Sequence, residues 1–428
     1  MRLYSTLTRR LEDLPAPPGP IRMYVCGPTV YARAHVGNAR PFVLGMWLRA
    51  WLRERGYDVT FVHNITDIND KIYDAAAAQG RASDELARDA TQWYLEDTGL
   101  FGLGRPDLLP KATESVPQIV AFIEKLVDGG HAYAADGDVY FSVASWPAYG
   151  ELSRQRVDQM EPEETNALKR APQDFALWKA TKPGEDTSWP SPWGPGRPGW
   201  HIECSVMAED AFGPVFEIHG GGLDLVFPHH ENELAQSRAL GHEFARVWMH
   251  NGMLEFTGEK MAKSVGNVVT IREAIEEWGR ETVLLLFLGS HWRKPMEFSE
   301  ETLQQAKAQL QSFRDFLVDV PRGQEPLEWE RLEAALDDDF NTPAALALFH
   351  EWRANGRGGD LREGLRVFGL GSLAERVSAP PDVVELAEQR LQARAARDWA
   401  ESDRLRDVIA SRGWLVRDTP GGYQLLSG

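Results

Sequence analysis

Hydrophobic positions change their period repeatedly along the chain. Between residues 22 and 65, two short apolar runs bracket a helical repeat. Met23-Tyr24-Val25-Cys26 stops at a Gly-Pro pair and predicts a buried strand that ends in a turn. Phe42, Val43, Met46, Trp47, Ala50 and Trp51 recur at helical spacing, with Gly56 beyond them as a stop. Val59-Thr60-Phe61-Val62 is a second β-rich run, ending at Asn64-Ile65-Thr66-Asp67. This is the pattern of a βαβ unit. A parallel pair joined by a crossover helix presents ligands at the carboxyl ends of its strands, where Cys26 and Thr66 both fall.

From about residue 111 to 198 the pattern differs and predicts an inserted module. A helix is expected over Pro117–Asp128 and a hairpin around Tyr133–Phe141. The stretch Pro183–Trp200 is crowded with Pro, Gly and Trp, which suits an ordered covering loop. The α/β pattern returns from about 215 to 290. There Phe216-Glu217-Ile218-His219 precedes a glycine triplet and a helix bearing His229. The last third reads as helical. Leu303, Ala306, Leu310, Phe313 and Leu317 mark one apolar face, and Asn341-Thr342-Pro343 predicts a helix start. Ser378-Ala379-Pro380-Pro381 marks a boundary. An arginine-studded helical stretch and a Gly421-Gly422 turn follow it.

Composition narrows the class. The chain has 428 residues, 43% hydrophobic and 26% charged, as in ordinary soluble globular proteins. That length predicts roughly two to four domains. No apolar run approaches the ~18 residues of a membrane span, and Val283–Leu288 reads as a buried element. The opening residues lack the apolar core of a signal peptide. Two cysteines in so long a chain argue against a secreted disulfide scaffold. A cytoplasmic protein without membrane contact is expected. The net charge of −18 argues against non-specific nucleic-acid binding. It leaves room for a shaped, locally basic RNA surface.

Two motifs point to a nucleotide. His35-Val36-Gly37-Asn38 follows the first strand and leads into a helix. Gly37 permits close backbone approach, and a helix N-terminus favours phosphate. Much later, Glu259-Lys260-Met261-Ala262-Lys263-Ser264 places two lysines about a short turn, where they can neutralise charge on a pyrophosphate leaving group. Together these elements resemble the HIGH and KMSKS signatures of class I aminoacyl-tRNA synthetases. They depart from them at Val36, Asn38 and Ala262.

Each cysteine sits in a dense motif. Cys26 abuts the first nucleotide motif. Cys204 closes Gly199-Trp200-His201-Ile202-Glu203-Cys204, not far before Pro228-His229-His230-Glu231-Asn232-Glu233. Thiols, imidazole and carboxylate are the ligand types that zinc prefers. His229 and Glu233 share a helix face at i,i+4, so both could ligate one ion with Cys26 and Cys204. His201, His219 and His230 compete for the histidine role, and spacing alone leaves His230 open. His219, just before the glycines, is expected to line the pocket.

Over nearly its whole length the chain resembles the cysteinyl-tRNA synthetase family. The matching stretches are Met23–Arg40, Asn64–Lys71, Trp189–Cys204, His219–Glu233, Lys260–Asn267 and Asp337–Pro343, with Arg394–Arg406 in the C-terminal part. The resemblance implies one zinc ion on Cys26, Cys204, His229 and Glu233, which binds the thiol of the substrate cysteine. It implies cysteine-pocket roles for Gly27, Thr66, Trp200, His219 and Asp224. ATP and transition-state contacts fall to His35, Asn38, Lys260 and Lys263, with Gly37 and Ser264 also at the nucleotide. The implied reaction makes cysteinyl-adenylate from L-cysteine and ATP, with Mg2+ accompanying the ATP, and passes the cysteine to tRNA(Cys). No editing domain is expected. The implied fold is α/β: a Rossmann-like doubly wound parallel sheet over 1–110 and 199–250, with a connective module inserted at 111–198. A loop and stem-contact region at 251–305, a helical bundle at 306–377 and a small tRNA-binding module at 380–428 follow. A monomer is expected.

Two rivals bear on this reading. A cysteine ligase that gives the same adenylate to an amino sugar shares the catalytic half and lacks the tRNA-reading end. Arg390, Arg394, Arg397, Arg404, Arg406, Arg412 and Arg417 favour tRNA. Asp398, Glu401, Asp403 and Asp407 could instead pair that series into a solvated helix face. The stretch 352–380 is short for the family, and the residues around Tyr423 depart from its tryptophan-bearing ending. A non-catalytic zinc- and tRNA-binding relative is the second rival. His35 and the intact lysine pair speak against it.

Overall fold

The computed structural model describes residues 1–161, 166–256, 269–319, 327–374, 379–419 and 422–427. Lys260, Ala262, Lys263 and Ser264 lie outside the described residues. The chain divides into two compact units, Met1–Gly371 and Ser372–Gly428.

The first unit opens with an antiparallel hairpin, β1 (Arg2–Ser5) and β2 (Arg10–Asp13). The expected βαβ unit follows as β3 (Pro20–Val25), α1 (Val36–Glu54) and β4 (Asp58–His63). Phe42, Val43, Met46, Trp47 and Trp51 line the buried face of α1. The Trp51 indole N–H donates to Asp337 at 3.0 Å, so even this ring finds a polar partner inside. Helices α2 (Asp70–Gln79) and α3 (Ser83–Gly99) come next.

The inserted module holds α4 (Val116–Asp128), β5 (Ala132–Ala135), β6 (Asp138–Phe141), β7 (Phe175–Ala180) and β8 (Gly196–Pro198). Its four strands form an antiparallel sheet in the order β5-β6-β7-β8. Ile119, Phe122, Ile123, Leu126, Val139, Phe141, Leu177 and Trp178 make its core. The expected hairpin is half of this sheet. The end of the expected covering loop pairs as the edge strand β8, which proline-rich sequence disguised.

The main sheet is completed after α5 (Trp200–Phe212) by β9 (Val215–Gly222), α6 (Glu231–Ala239) and β10 (Phe244–Asn251). Its order is β10-β9-β3-β4, all parallel. Leu108–Lys111 runs parallel beside β4 through bridges Val62–Leu108 and Ile65–Lys111. The chain thus winds outward in one direction from β3 and in the other from β9. Ligands bind where strand order reverses, outside the carboxyl ends of β3 and β9. The glycine triplet is part of β9 itself, not a turn beyond it, because Met249, His250 and Asn251 pair with Gly220, Gly221 and Gly222.

Beyond β10 lie β11 (Leu254–Phe256), α7 (Ile271–Trp278), α8 (Arg280–Leu288), β12 (Met296–Phe298) and α9 (Glu300–Asp319). Helices α10 (Trp329–Leu336), α11 (Thr342–Ala354) and α12 (Gly358–Val367) complete the unit. Helix α9 runs straight through the expected 305/306 boundary, and β10 through that at 250/251. Asn341 caps α11 by accepting from the Ala344 N–H at 3.1 Å, as the Asn-Thr-Pro pattern predicts.

The second unit contains α13 (Pro381–Ala395), α14 (Trp399–Ser411) and the antiparallel pair β13 (Trp414–Thr419) and β14 (Gly422–Ser427). Its arginines are mostly paired. Arg390 is buried and binds Asp418 through two contacts at 2.7 and 3.2 Å, while Arg404 holds Glu401 and Arg406 holds Asp403. The Arg404 and Arg406 pairs stand in solvent, where such contacts are weak.

Candidate metal centre and nucleotide site

Cys26 leaves the end of β3, and its N–H donates to the Gly220 carbonyl at 2.9 Å, which holds it against β9. Cys204 comes from α5. His229 stands in a short π-helical turn, Val226–His230, that leads into α6 with Phe227 extended. Glu233 lies on the first turn of α6. These four residues are buried, and their donor atoms all lie within 4.8 Å of one another. Tetrahedral zinc with bonds of about 2.0–2.3 Å needs donors roughly 3.3–3.8 Å apart. The set fits that ion with small side-chain movements.

A second set, Cys26, His219, His230 and Glu233, is equally close-packed. The hydrogen bonds separate the two. His230 Nδ1 lies 2.7 Å from His250 Nε2, and His250 Nδ1 lies 2.8 Å from the Thr6 hydroxyl. His219 Nε2 is 2.7 Å from Glu233 Oε2. Glu233 Oε1 remains on the other side, 3.1 Å from His229 Nε2 and 3.6 Å from Cys26 Sγ. The far nitrogen of His229, Nδ1, is 3.0 Å from His201 Nδ1. Ligating imidazoles and carboxylates are held this way, with one atom for the ion and the other tied to a neighbour. His230 meets this condition too, with Nδ1 on His250 and Nε2 3.3 Å from Cys26 Sγ, but the second set also needs His219, whose Nε2 is spent on Glu233 Oε2. Only the first set has the arrangement throughout. In it His201 supports His229, and His219 supports Glu233.

Burial sets the protonation of the bare centre. It pushes both cysteine thiols up from their ordinary range. Burial, with the neighbouring histidines, drives His229 and His230 well below the usual imidazole value. The imidazoles are therefore neutral, as ligands must be. The thiols give up their protons only to a cation.

Of the residues expected in the pocket, Trp200 and His219 touch the centre, and Gly27 and Thr66 border the turn after Cys26. The ring of Trp200 stacks on His229 at 4.2 Å, and His219 stacks on Trp248 at 4.6 Å. Gly27 donates its N–H to Asn64 Oδ1 at 2.8 Å; a Cβ there would sit 1.7 Å from the Asn64 carbonyl oxygen. Thr66 bridges Thr29 and is buried beside that contact. At Gly221 a Cβ would meet the His230 ring at 2.8 Å. Asp224 is exposed on the turn Leu223–Leu225. Sequence reasoning missed Asn64, His250 and Tyr24. It also gave no role to Glu203, which is buried beside Cys204 with its carboxyl pushed well up by burial. Their signal is weak, because each is a single residue whose partners lie far away in sequence.

At the nucleotide edge, His35 is the N-cap of α1 and Gly37 and Asn38 form its first turn, which carries no acidic residue. The helix dipole there favours an anion. His35 forms an antiparallel bridge with Thr270, just beyond the lysine-bearing stretch. Thr270 and Glu273 close a capping box at the start of α7.

Comparison with known proteins agrees with this geometry. The family described as "tRNA synthetases class I (C) catalytic domain" matches residues 14–308, and the DALR domain family matches residues 331–353. A cysteine–tRNA ligase of Laribacter hongkongensis is 44% identical, over 99% of this chain and 98% of its own. One of Alkalilimnicola ehrlichii is 45% identical with the same coverage. The fold is shared with a Mycobacterium tuberculosis methionyl-tRNA synthetase in complex with methionyl-adenylate. That structure is 16% identical at a TM-score of 0.58 and covers 91% of this chain and 88% of that one. No helix among the described residues is long and apolar enough to cross a membrane. With a catalytic-domain match over most of its length and such relatives end to end, the chain belongs to the cysteine–tRNA ligase family of class I aminoacyl-tRNA synthetases.

Proposed function

We propose that this chain joins L-cysteine to tRNA(Cys) at the expense of ATP, and that a zinc ion on Cys26, Cys204, His229 and Glu233 selects the amino acid by its sulfur. The observation that carries the reading is the donor set itself: two thiols, one imidazole and one carboxylate, mutually within 4.8 Å, at the reversal point of a parallel sheet beside a helix N-terminus. Zinc there would supply a soft Lewis-acid anchor for thiolate, for which a serine hydroxyl is a poor substitute. A site that satisfies one group rejects the analogue lacking it by roughly 10⁴–10⁵ in favourable cases. No second, editing site is then needed.

The residues divide the work as follows. Trp200, Gly27, Thr66 and Asp224 shape and orient the amino acid, and His219 holds Glu233. His35, Gly37 and Asn38 receive the ATP phosphates at the start of α1. Lys260, Lys263 and Ser264 are assigned to the pyrophosphate. Magnesium would arrive on the ATP phosphates, held by few protein ligands. The substrate carboxylate attacks the α-phosphate, the bond to pyrophosphate breaks, and cysteinyl-adenylate forms. A ribose hydroxyl at the tRNA end then attacks the acyl carbon and AMP leaves. Positioning and charge stabilisation do the catalysis, and no protein nucleophile is required.

The amino-sugar ligase reading loses ground because the relatives align over 99% of the chain, the arginine-bearing end included. The test has three parts on the purified protein: zinc by elemental analysis, cysteine-dependent ATP–pyrophosphate exchange, and charging of tRNA(Cys). Exchange without charging would favour the amino-sugar reading. Exchange that ignores cysteine would sink the reading altogether.

A further inference from the structure

Helix α3 carries a buried carboxylate that the reaction as read above does not use. Asp97 is 0% exposed, yet guanidiniums from two distant segments converge on it. Arg33 Nη1 lies 2.7 Å from Oδ1 and 2.9 Å from Oδ2, and Arg272 Nε lies 3.0 Å from Oδ1. Arg33 precedes His35 by two residues, and Arg272 follows Thr270 by two. Between the two arginines the backbones are joined. His35 pairs with Thr270, the Val36 N–H donates to Val269 at 2.9 Å, and the Ile271 N–H donates to Ala34 at 3.0 Å.

The joint connects the turn that starts α1 to the chain that enters α7. Two like charges flank it and would repel. Asp97, held on a 17-residue helix, pairs with both and fixes their spacing, while Glu96 and Glu276, each 3.8 Å from Arg272, add negative charge around that guanidinium. Charge-assisted contacts to a buried carboxylate are strong and directional, and removal of the carboxylate leaves both guanidiniums without the group that holds them in place, although Arg272 keeps Glu96 and Glu276 nearby. The arrangement lies in the sheet unit, at the edge assigned to ATP.

We propose that Asp97 is a positioning residue for the nucleotide site: through Arg33 and Arg272 it sets the register between the His35–Asn38 turn and the segment that follows Lys260–Ser264. The proposal rests on the assignment of those two segments to ATP. A displacement of about 1 Å at such a site costs on the order of 10²-fold in rate. Loss of the clamp should therefore appear in ATP parameters and spare cysteine binding.

The experiment is steady-state ATP–pyrophosphate exchange on the full chain, with KM for ATP and for cysteine and kcat measured separately, and a melting curve for each variant. Asp97→Asn, Arg272→Ala and His35→Ala are compared with the parent. Expected are a 10- to 100-fold fall in kcat/KM for ATP in Asp97→Asn, a smaller fall in Arg272→Ala, and a KM for cysteine within twofold of the parent in both. Arg272→Ala added to Asp97→Asn should cause little further loss. Should Asp97→Asn fail to fold, Arg272→Ala carries the test, because Arg272 is partly exposed, at 32%. If His35→Ala loses exchange while folded Asp97 and Arg272 variants keep parental ATP parameters, the clamp is overturned and the ATP site stands. If both KM values rise together with a lowered Tm, the role is merely structural and the proposal also falls. If His35→Ala exchanges normally, the ATP assignment itself fails and takes the clamp with it.

Discussion

Glu233 Oε2 stands 2.7 Å from His219 Nε2, and both side chains are fully buried. The carboxylate therefore offers its other oxygen to the centre in a fixed direction. His219→Ala should leave the fold intact and weaken metal retention by about 10–100-fold, the usual cost of losing such a support. Competition with a chelator measures it. Undiminished retention would return His219 to the role of a plain pocket wall.

Cys26→Ser and Cys204→Ser should each abolish stoichiometric zinc and lower kcat/KM for cysteine by about 10³-fold or more, with much less effect on ATP binding. His229→Ala should behave likewise. His230→Ala should keep its zinc, since the first donor set does not use His230. Elemental analysis of the four variants decides between the two donor sets. A His230 variant that loses zinc while the His229 variant keeps it would favour the second.

Gly27→Ala places a methyl group against the Asn64 backbone. The chain must shift there, beside both Cys26 and Thr66. A fall in cysteine kcat/KM of at least about 10²-fold is expected from misplacement at the site, together with a lowered Tm. Parental activity would mean that the close approach of these two segments is dispensable.

His63 gives the fold an acid limit. Its Nδ1–H donates to the Val25 carbonyl at 2.8 Å, and its Nε2 accepts from Tyr94 at 2.7 Å. Burial pushes its pKa down from 6.5 to about 4. The unfolded chain thus takes up a proton first as the pH drops. Stability is full above about pH 6.5 and declines through the window down to about 4, by on the order of a few kcal/mol from this residue. His63→Gln should unfold more easily at neutral pH and lose less between pH 6.5 and 4 than the parent does. Urea melts across that range give the comparison. Parallel curves would refute the assignment.

Much of this was legible in the chain. The βαβ unit was readable because Met23–Cys26 and Val59–Val62 are apolar runs on either side of a clear helical repeat. The centre was readable because Cys204 and His229–Glu233 sit in compact motifs, and i,i+4 spacing brought His229 to Glu233. What escaped is non-local. Nothing around His250 or Asp97 indicates that these residues meet His230, Arg33 and Arg272. Those partners lie far away in sequence, and only the folded sheet and α3 bring them together. The strand β8 escaped because Gly-Arg-Pro has no β signature of its own.

The chain order of the four donors has a consequence for biosynthesis. A nascent polypeptide possesses only the first thiol until the whole inserted module has emerged, and the ligating His229 and Glu233 come later still. Ion capture must wait until β9 has slotted beside β3. A ribosome halted between Cys26 and Cys204 would expose a solitary, oxidisable thiol, which makes metal uptake a marker of how far synthesis has gone.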